Sequence, residues 1–380
     1  MKKKRGDDRM TNNLFLLMNK NRPVALLEEN RAFGELSYVV KETYDAYMPY
    51  GSQDINRWLD NRQAAKHRKH LKELMIRCGC YDKNGFINIT HCTSLNDTFW
   101  VKSEKSDLKW EDVSLYTNPF DDTIARIAFD GVGLFGEQFS STSPELTTEG
   151  SFEKCWIREN NNIYMIKRGS SGSVNAGMEP YSEVIVSQLT TAIGCRAVNY
   201  ELVYHHKYLA SKCKLFTSEQ YGFVPMAAYS NNKATIQSVI DITHKLNCEE
   251  DFRRMLVIDA ICYNIDRHAG NYGFIVNNDT GEPLKLAPLF DHNYALLPRM
   301  MEHDDAAEYL SLQGPRIGDD FTQTAIEVMT PDIQSELIKL KQFEYQSPGF
   351  GFPQWRLEFV NDLKNKQINA ILDGYSKKKM

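Results

Sequence analysis

Residues 264–275 read NIDRHAGNYGFI. Asp266, Arg267, His268 and two asparagines crowd together there, immediately ahead of an apolar run with strand character. The run YGFIV leads into the turn-rich NNDTGEP and then into LKLAPLFD, which predicts a hairpin. In an antiparallel hairpin the residue before the first strand and the residue after the second lie at the same end. Asn271 and Asp291 are therefore expected as neighbours. Polar clusters of this kind also cap helices and build turns, so the reading of Asp266 depends on what the rest of the chain supplies.

Upstream, LTTEGSFEKCWI gives a polar turn around Gly150 and then a strand from Cys155 to Arg158. ENNN is a turn, and IYMIK is a second strand on which Ile163, Met165 and Lys167 share one face. RGSSGSVNAGMEP lacks the Gly-Lys-Ser/Thr ending of a P-loop and reads as a connector; the turn at 147–154 is the better phosphate candidate. A helix from Tyr181 to Ile193 follows, with Pro180 at its first position, Gly194 as its stop and Glu183 in its first turn, where it suits a partnership with Lys167. The strand-like AVNYELVYH comes next, and a helix over 250–263 leads into the opening stretch. Near the end, Leu357, Val360, Leu363, Ile368, Ile371 and Leu372 recur close to helical spacing.

The bulk properties narrow the choice of function. With 380 residues, 42% hydrophobic and 25% charged, the chain has the composition of a globular protein large enough for two or three domains. A net charge of -5 gives no general footprint for binding polyanions. The start MKKKRGDDRM is basic, but the apolar core after it is too short for a signal peptide, and no segment has the apolar length of a membrane span. A cytoplasmic protein is the expectation, with its eight scattered cysteines reduced. Cys78, Cys80, His91 and Cys92 offer poor chelate spacing for zinc. Residues 55–79 are expected to form one helix, with Leu71, Leu74, Met75 and Cys78 inward and Arg57, Arg62, Lys66, Arg68, Lys69 and Lys72 on a basic face that is solvated rather than bound to nucleic acid.

Together these residues describe a phosphoryl-transfer site. Asp266 and Asn271 have the spacing of the catalytic aspartate and asparagine of the protein-kinase loop, and Asp291 adds a second hard oxygen ligand suited to Mg2+. Lys167 is placed to neutralise α/β-phosphate charge and Asp266 to take the acceptor's proton.

NIDRHAGN followed by APLFD resembles the catalytic and metal-binding segments of HipA-like serine/threonine kinases, and its loop is also similar to that of phosphatidylinositol 3/4-kinases. LTTEGSFEK resembles the family's Ser-bearing phosphate loop and IYMIK its nucleotide-lysine strand. The resemblance implies ATP and Mg2+ as cofactors, Asp266 as proton acceptor, Asn271 and Asp291 as metal ligands, and Lys167 on the phosphates. It implies a phosphate lining from Glu149, Gly150, Ser151, Phe152, Glu153 and Lys154, hinge backbone from Phe216, Thr217, Ser218 and Glu219, and a supporting role for His268. Thr147 matches the loop serine that is autophosphorylated in the family, with Thr148 and Ser151 as neighbours; Ser151-Phe152 departs from the usual small residue and Gln. The resemblance further implies a toxin acting on a protein substrate such as an aminoacyl-tRNA synthetase and countered by a separate DNA-binding antitoxin.

The expected fold is α+β and bilobal, with an accessory region at 1–130, a sheet-rich N-lobe at 131–222 and a helical C-lobe at 223–380. Two other functions stay open at this point: a lipid or small-molecule kinase sharing the loop, and an inactive nucleotide-binding regulator that contacts DNA.

Overall fold

The structure, a computed structural model, describes residues 13–32, 35–44, 47–64, 74–76, 78–131, 143–231 and 233–380. Three antiparallel sheets and a helical lobe make up an α+β, bilobal fold, as expected. The first sheet has the order β3-β2-β1-β4, from β1 (Leu14–Asn19), β2 (Arg22–Ala32), β3 (Glu35–Thr43) and β4 (Phe99–Ser103). Phe15, Leu17 and Leu27 on its inner face bury against Trp58 and Leu59 of α1 (Ile55–Asn61) and Phe86 of α2 (Lys83–Thr90). Two further helices, α3 (Trp110–Val113) and α4 (Asp122–Asp130), complete this region.

The basic helix expected over 55–79 is corrected here. α1 ends at Asn61, and Arg62 turns inward. Its guanidinium pairs with Asp97 at 2.8 and 2.7 Å, donates to the Cys92 and Phe99 carbonyls, and lies 4.5 Å from the Trp58 ring centre. A charge so fully partnered is part of the core rather than of a surface. Leu71, Lys66, Arg68, Lys69 and Lys72 lie outside the described residues. Cys78, Cys80 and Cys92 are buried in the same apolar cluster, where burial pushes their thiols up, and all eight cysteines are free. Among the described residues no group of three ligands is placed to hold a metal.

The second sheet, order β5-β6-β8-β7, contains β5 (Lys154–Glu159), β6 (Asn162–Arg168), β7 (Tyr200–His205) and β8 (Tyr208–Lys214), and α5 (Glu179–Ala192) packs on it. The third, order β11-β10-β9, comprises β9 (Tyr221–Pro225), β10 (Gly273–Asn277) and β11 (Pro283–Leu286). The accessory region docks beside this crossover between lobes: the Phe223 N–H donates to the Asn96 carbonyl at 2.7 Å, and Asn19 Nδ2 donates to the Asn278 carbonyl at 2.6 Å.

The helical lobe is built around α8 (Glu249–Ile261), with α6 (Met226–Tyr229), α7 (Ile236–Lys245), α9 (Ala306–Ser311), α10 (Phe321–Val328), α11 (Pro331–Leu340) and α12 (Gln354–Lys378) around it. Three acidic residues in the first turn of α8 suit the positive end of its dipole. Phe252 and every residue from Met255 to Ile261 are buried, so the C-terminal half of the helix is enclosed on every side. Each large apolar side chain among them contributes about 1.5–3 kcal/mol relative to exposure. Its one buried acid, Asp259, needs a partner, and that partner is in the opening stretch.

Candidate active site

The β5–β6 hairpin sets Lys154 opposite Lys167, at the end of the sheet that faces the helical lobe. Lys167 is buried, so its ammonium requires anionic company. Nζ contacts Glu183 Oε1 of α5 and lies 2.7 Å from Asp291 Oδ1. Ser211 Oγ of β8 donates to the other Glu183 oxygen, Oε2. Burial pushes the Lys167 ammonium down, but Asp291 and Glu183 outweigh it and hold its pKa above the ordinary lysine range. Burial raises Asp291 in turn, and Lys167, Lys154 and Arg267 overcome that and hold its carboxyl well below the usual carboxylate range.

The β10–β11 hairpin pairs Phe274 with Leu286, and Asn271 and Asp291 flank it in sequence. Both line one cleft of about 650 Å3, together with Asp266 and Lys167. Asn271 Nδ2 donates to the Asp266 carbonyl at 3.1 Å, which leaves Oδ1 as a free acceptor. Asp291 adopts φ +59, a left-handed conformation that a non-glycine residue holds only when its surroundings fix it. Here its N–H donates to the Tyr200 hydroxyl at 3.1 Å while Oδ1 accepts from Lys167, and Oδ2 is left for a cation.

Arg267 ties these pieces together. It grips Asp259 with two bonds of 2.8 and 3.0 Å, and its Nη1 donates to the Asn271 carbonyl at 2.8 Å and the Phe290 carbonyl at 2.6 Å. Asn264 Nδ2 completes Asp259 at 2.9 Å. One buried guanidinium thus fixes the main chain on both sides of the hairpin. Sequence reasoning assigned no role to Arg267, Asp259, Asn264 or Tyr200; the available signal was a lone acid inside the apolar run MLVIDAI.

Asp266 is half-buried, and desolvation raises its pKa despite the opposing charges of His268 and Arg316. Arg316 Nη2 reaches it from the loop before α10, at 3.5 Å from Oδ1. Gly150 has φ +97, and a Cβ there would stand 2.3 Å from Lys154 Nζ, which itself donates to the Glu149 carbonyl at 2.6 Å. The departure at Phe152 has a packing reason: its ring sits 5.7 Å from that of Tyr294, joining the phosphate turn to the segment after Asp291.

Of the other anticipated residues, Glu149, Gly150, Ser151, Phe152, Lys154, Phe216, Thr217 and His268 line the cleft. Glu153 does not, and Glu183 acts on it only through Lys167. Of the four residues expected to supply hinge backbone, Phe216 and Thr217 line the cleft and Ser218 and Glu219 do not. Glu219 turns to the accessory region, accepting from Trp110 Nε1 at 2.6 Å and Ser114 Oγ at 2.9 Å, and the Ser218 hydroxyl closes its own turn onto Tyr221 N. Thr148 and Ser151 face the cleft, whereas Thr147 is buried and lines a neighbouring chamber.

The donor set fits ATP with Mg2+. Two hard oxygens, Asn271 Oδ1 and Asp291 Oδ2, are uncommitted in a cleft of nucleotide size, with a paired lysine behind them and a glycine turn above.

Fold and site together define a bilobal kinase-like protein. Comparison with known proteins finds likeness to a serine/threonine-protein kinase, CtkA of Helicobacter pylori, at 27% identity over 161 residues, covering 37% of this chain. The chain spans about half of that relative's length, 49%. The crystal structure of the H. pylori proinflammatory kinase CtkA matches with a TM-score of 0.47 and 18% identity, over 61% of this chain and 94% of that one. The HipA of a Shewanella oneidensis MR-1 toxin–antitoxin structure, solved with HipB and operator DNA, matches over 96% of this chain and 97% of that one, with a TM-score of 0.52 and 13% identity. That last likeness is one of fold. No family model matches the chain. The resemblance to HipA-like serine/threonine kinases read from the sequence is thus also what the comparisons find.

Proposed function

We propose that the protein is an ATP- and Mg2+-dependent serine/threonine protein kinase of HipA-like type. The observation that carries this reading is the Lys167–Glu183–Asp291 network, which faces Asp266 and Asn271 across one cleft. Mg2+ held by Asn271 Oδ1 and Asp291 Oδ2 would neutralise charge on the β- and γ-phosphates. Lys167, fixed by Glu183, orients the α- and β-phosphates, and the turn at Gly150 with Lys154 covers them. Asp266 accepts the proton of the acceptor hydroxyl as its oxygen attacks the γ-phosphorus and the bond to ADP breaks. The raised pKa of Asp266 suits a general base.

In this reading the lobes divide at 131–222 and 223–380, and autophosphorylation falls within Thr147, Thr148 and Ser151. Ser151 is exposed in the cleft, whereas Thr147 and Thr148 both donate to the Pro144 carbonyl. A cytoplasmic toxin countered by a DNA-binding antitoxin, with an aminoacyl-tRNA synthetase as acceptor, extends the reading by analogy. Among the described residues no helix is long and apolar enough to cross a membrane.

Labelled ATP offered with protein, lipid and sugar acceptors tests the class. Label on protein serine or threonine supports the proposal, and label on lipid or sugar supports a small-molecule kinase. No transfer, combined with a salt-dependent DNA shift that survives Asp266→Asn, supports an inactive regulator. Growth arrest on expression, abolished by Asp266→Asn, tests the toxin role.

A further inference from the structure

Beside the nucleotide cleft lies a second chamber of about 440 Å3, between α1 with the loop before it and the β9–α6 segment. The two cavities share Glu149 of the phosphate turn and Gly270 of the catalytic loop. The chamber therefore adjoins the cleft beside the two loops that carry the transfer in the kinase reading, so a segment seated in it would lie near the acceptor hydroxyl.

Its lining is divided by chemistry. Tyr50, Trp58 and Phe99 give an aromatic floor. Among its charges, Arg62 and Asp97 pair with each other, and the exposed Asp54 carboxylate caps α1, accepting from the N–H groups of Asn56 and Arg57. Arg57 itself is exposed on the chamber wall, and its guanidinium has no ion-pair partner among the described residues. The amides of Gln53 and Asn231, also exposed, line the same wall. Side-chain amides both donate and accept, as a polypeptide backbone requires, and rings accommodate an apolar side chain. The polar wall does not suit an acyl chain.

We propose that this chamber is the acceptor subsite of the kinase: it takes the polypeptide segment flanking the phosphorylated hydroxyl, with an aromatic or aliphatic residue on the ring-lined floor and an acidic residue at Arg57. The proposal rests on the kinase reading and extends it to the sequence around the acceptor residue.

The test is phosphotransfer to a peptide library with a central serine or threonine and randomised flanks, together with the affinity for a fluorescent ATP analogue. The unmutated protein selects acidic and apolar residues at fixed flanking positions. Arg57→Glu raises KM for the selected acidic peptide roughly tenfold and reverses the charge preference, with nucleotide affinity unchanged. Gln53→Trp, a bulky residue at an exposed position, raises peptide KM without reversing charge preference. Unaltered peptide selection in both variants overturns the proposal, and so does a parallel loss of nucleotide affinity, which would make the chamber part of the nucleotide site. Single-stranded RNA binding lost in Arg57→Glu with peptide KM unmoved overturns it in favour of another ligand class. Failure of the unmutated protein to label any peptide overturns the kinase reading itself.

Discussion

Lys167 Nζ lies 2.7 Å from Asp291 Oδ1, joining residues 124 positions apart and drawn from different lobes. The same ammonium contacts Glu183, so one cation holds β6, α5 and the segment after β11 together. Its removal leaves two carboxylates facing each other, one of them fully enclosed.

Lys167→Met is expected to abolish measurable nucleotide binding and to cost about 3–5 kcal/mol of stability, as for a broken buried ion pair. Glu183→Gln keeps an acceptor for Lys167 and is expected to cost less of both. The pH dependence has a definite sign. The folded pKa of Asp291 is depressed, so its contribution is full above the unfolded value of about 4 and is lost as pH falls below it. Urea unfolding below pH 4 should therefore show a steeper loss in the unmutated protein than in Lys167→Met; equal slopes would contradict the coupling.

Asp266 must be ionised to accept a proton, so kcat/KM should fall on the acid side as pH drops through its raised pKa. Arg316 holds that pKa down. Arg316→Ala should move the acid limb to higher pH, by the small amount expected of an exposed pair. A shift in the opposite direction, or none, would show that the pair does not tune the base.

Much of this site was legible because period and spacing are local properties. The IYMIK alternation put Lys167 on one face of a strand with Ile163 and Met165, and the turn NNDTGEP set Asn271 and Asp291 at the same end of a hairpin. Arg62 escaped because whether a basic residue is surface or core depends on a remote acid, here Asp97, that the chain brings to it. The partners of the Glu219 side chain, Trp110 and Ser114, were hidden for the same reason: the chain brings them from more than a hundred positions away. The Arg267 clamp needed the knowledge that Asp259 is enclosed, which helical periodicity alone does not give where the second half of a helix is buried all round.

The clamp makes a prediction of its own. Arg267→Ala and Asp259→Ala should each destabilise by about 3–5 kcal/mol in urea, since each strands a buried charge, and the double variant should lose far less than the sum. Simple additivity would mean that the two residues do not act as a unit.

Gly150→Ala tests the phosphate turn. A side chain is strained at φ +97, and its Cβ crowds the Lys154 ammonium, which is held on the Glu149 carbonyl. KM for ATP should rise several-fold, and the backbone strain should lower the melting temperature as well. An unchanged KM would remove this turn from the nucleotide site.

The most direct measurement is transfer of labelled γ-phosphate from Mg-ATP to a protein acceptor, run in parallel on the unmutated protein, Asp266→Asn and Asp291→Ala. The account predicts phosphoserine or phosphothreonine from the first and a rate lower by about 10²–10⁴-fold or more in both variants. Undiminished transfer in the two variants, or no transfer by the unmutated protein with ATP and Mg2+ present, would contradict it.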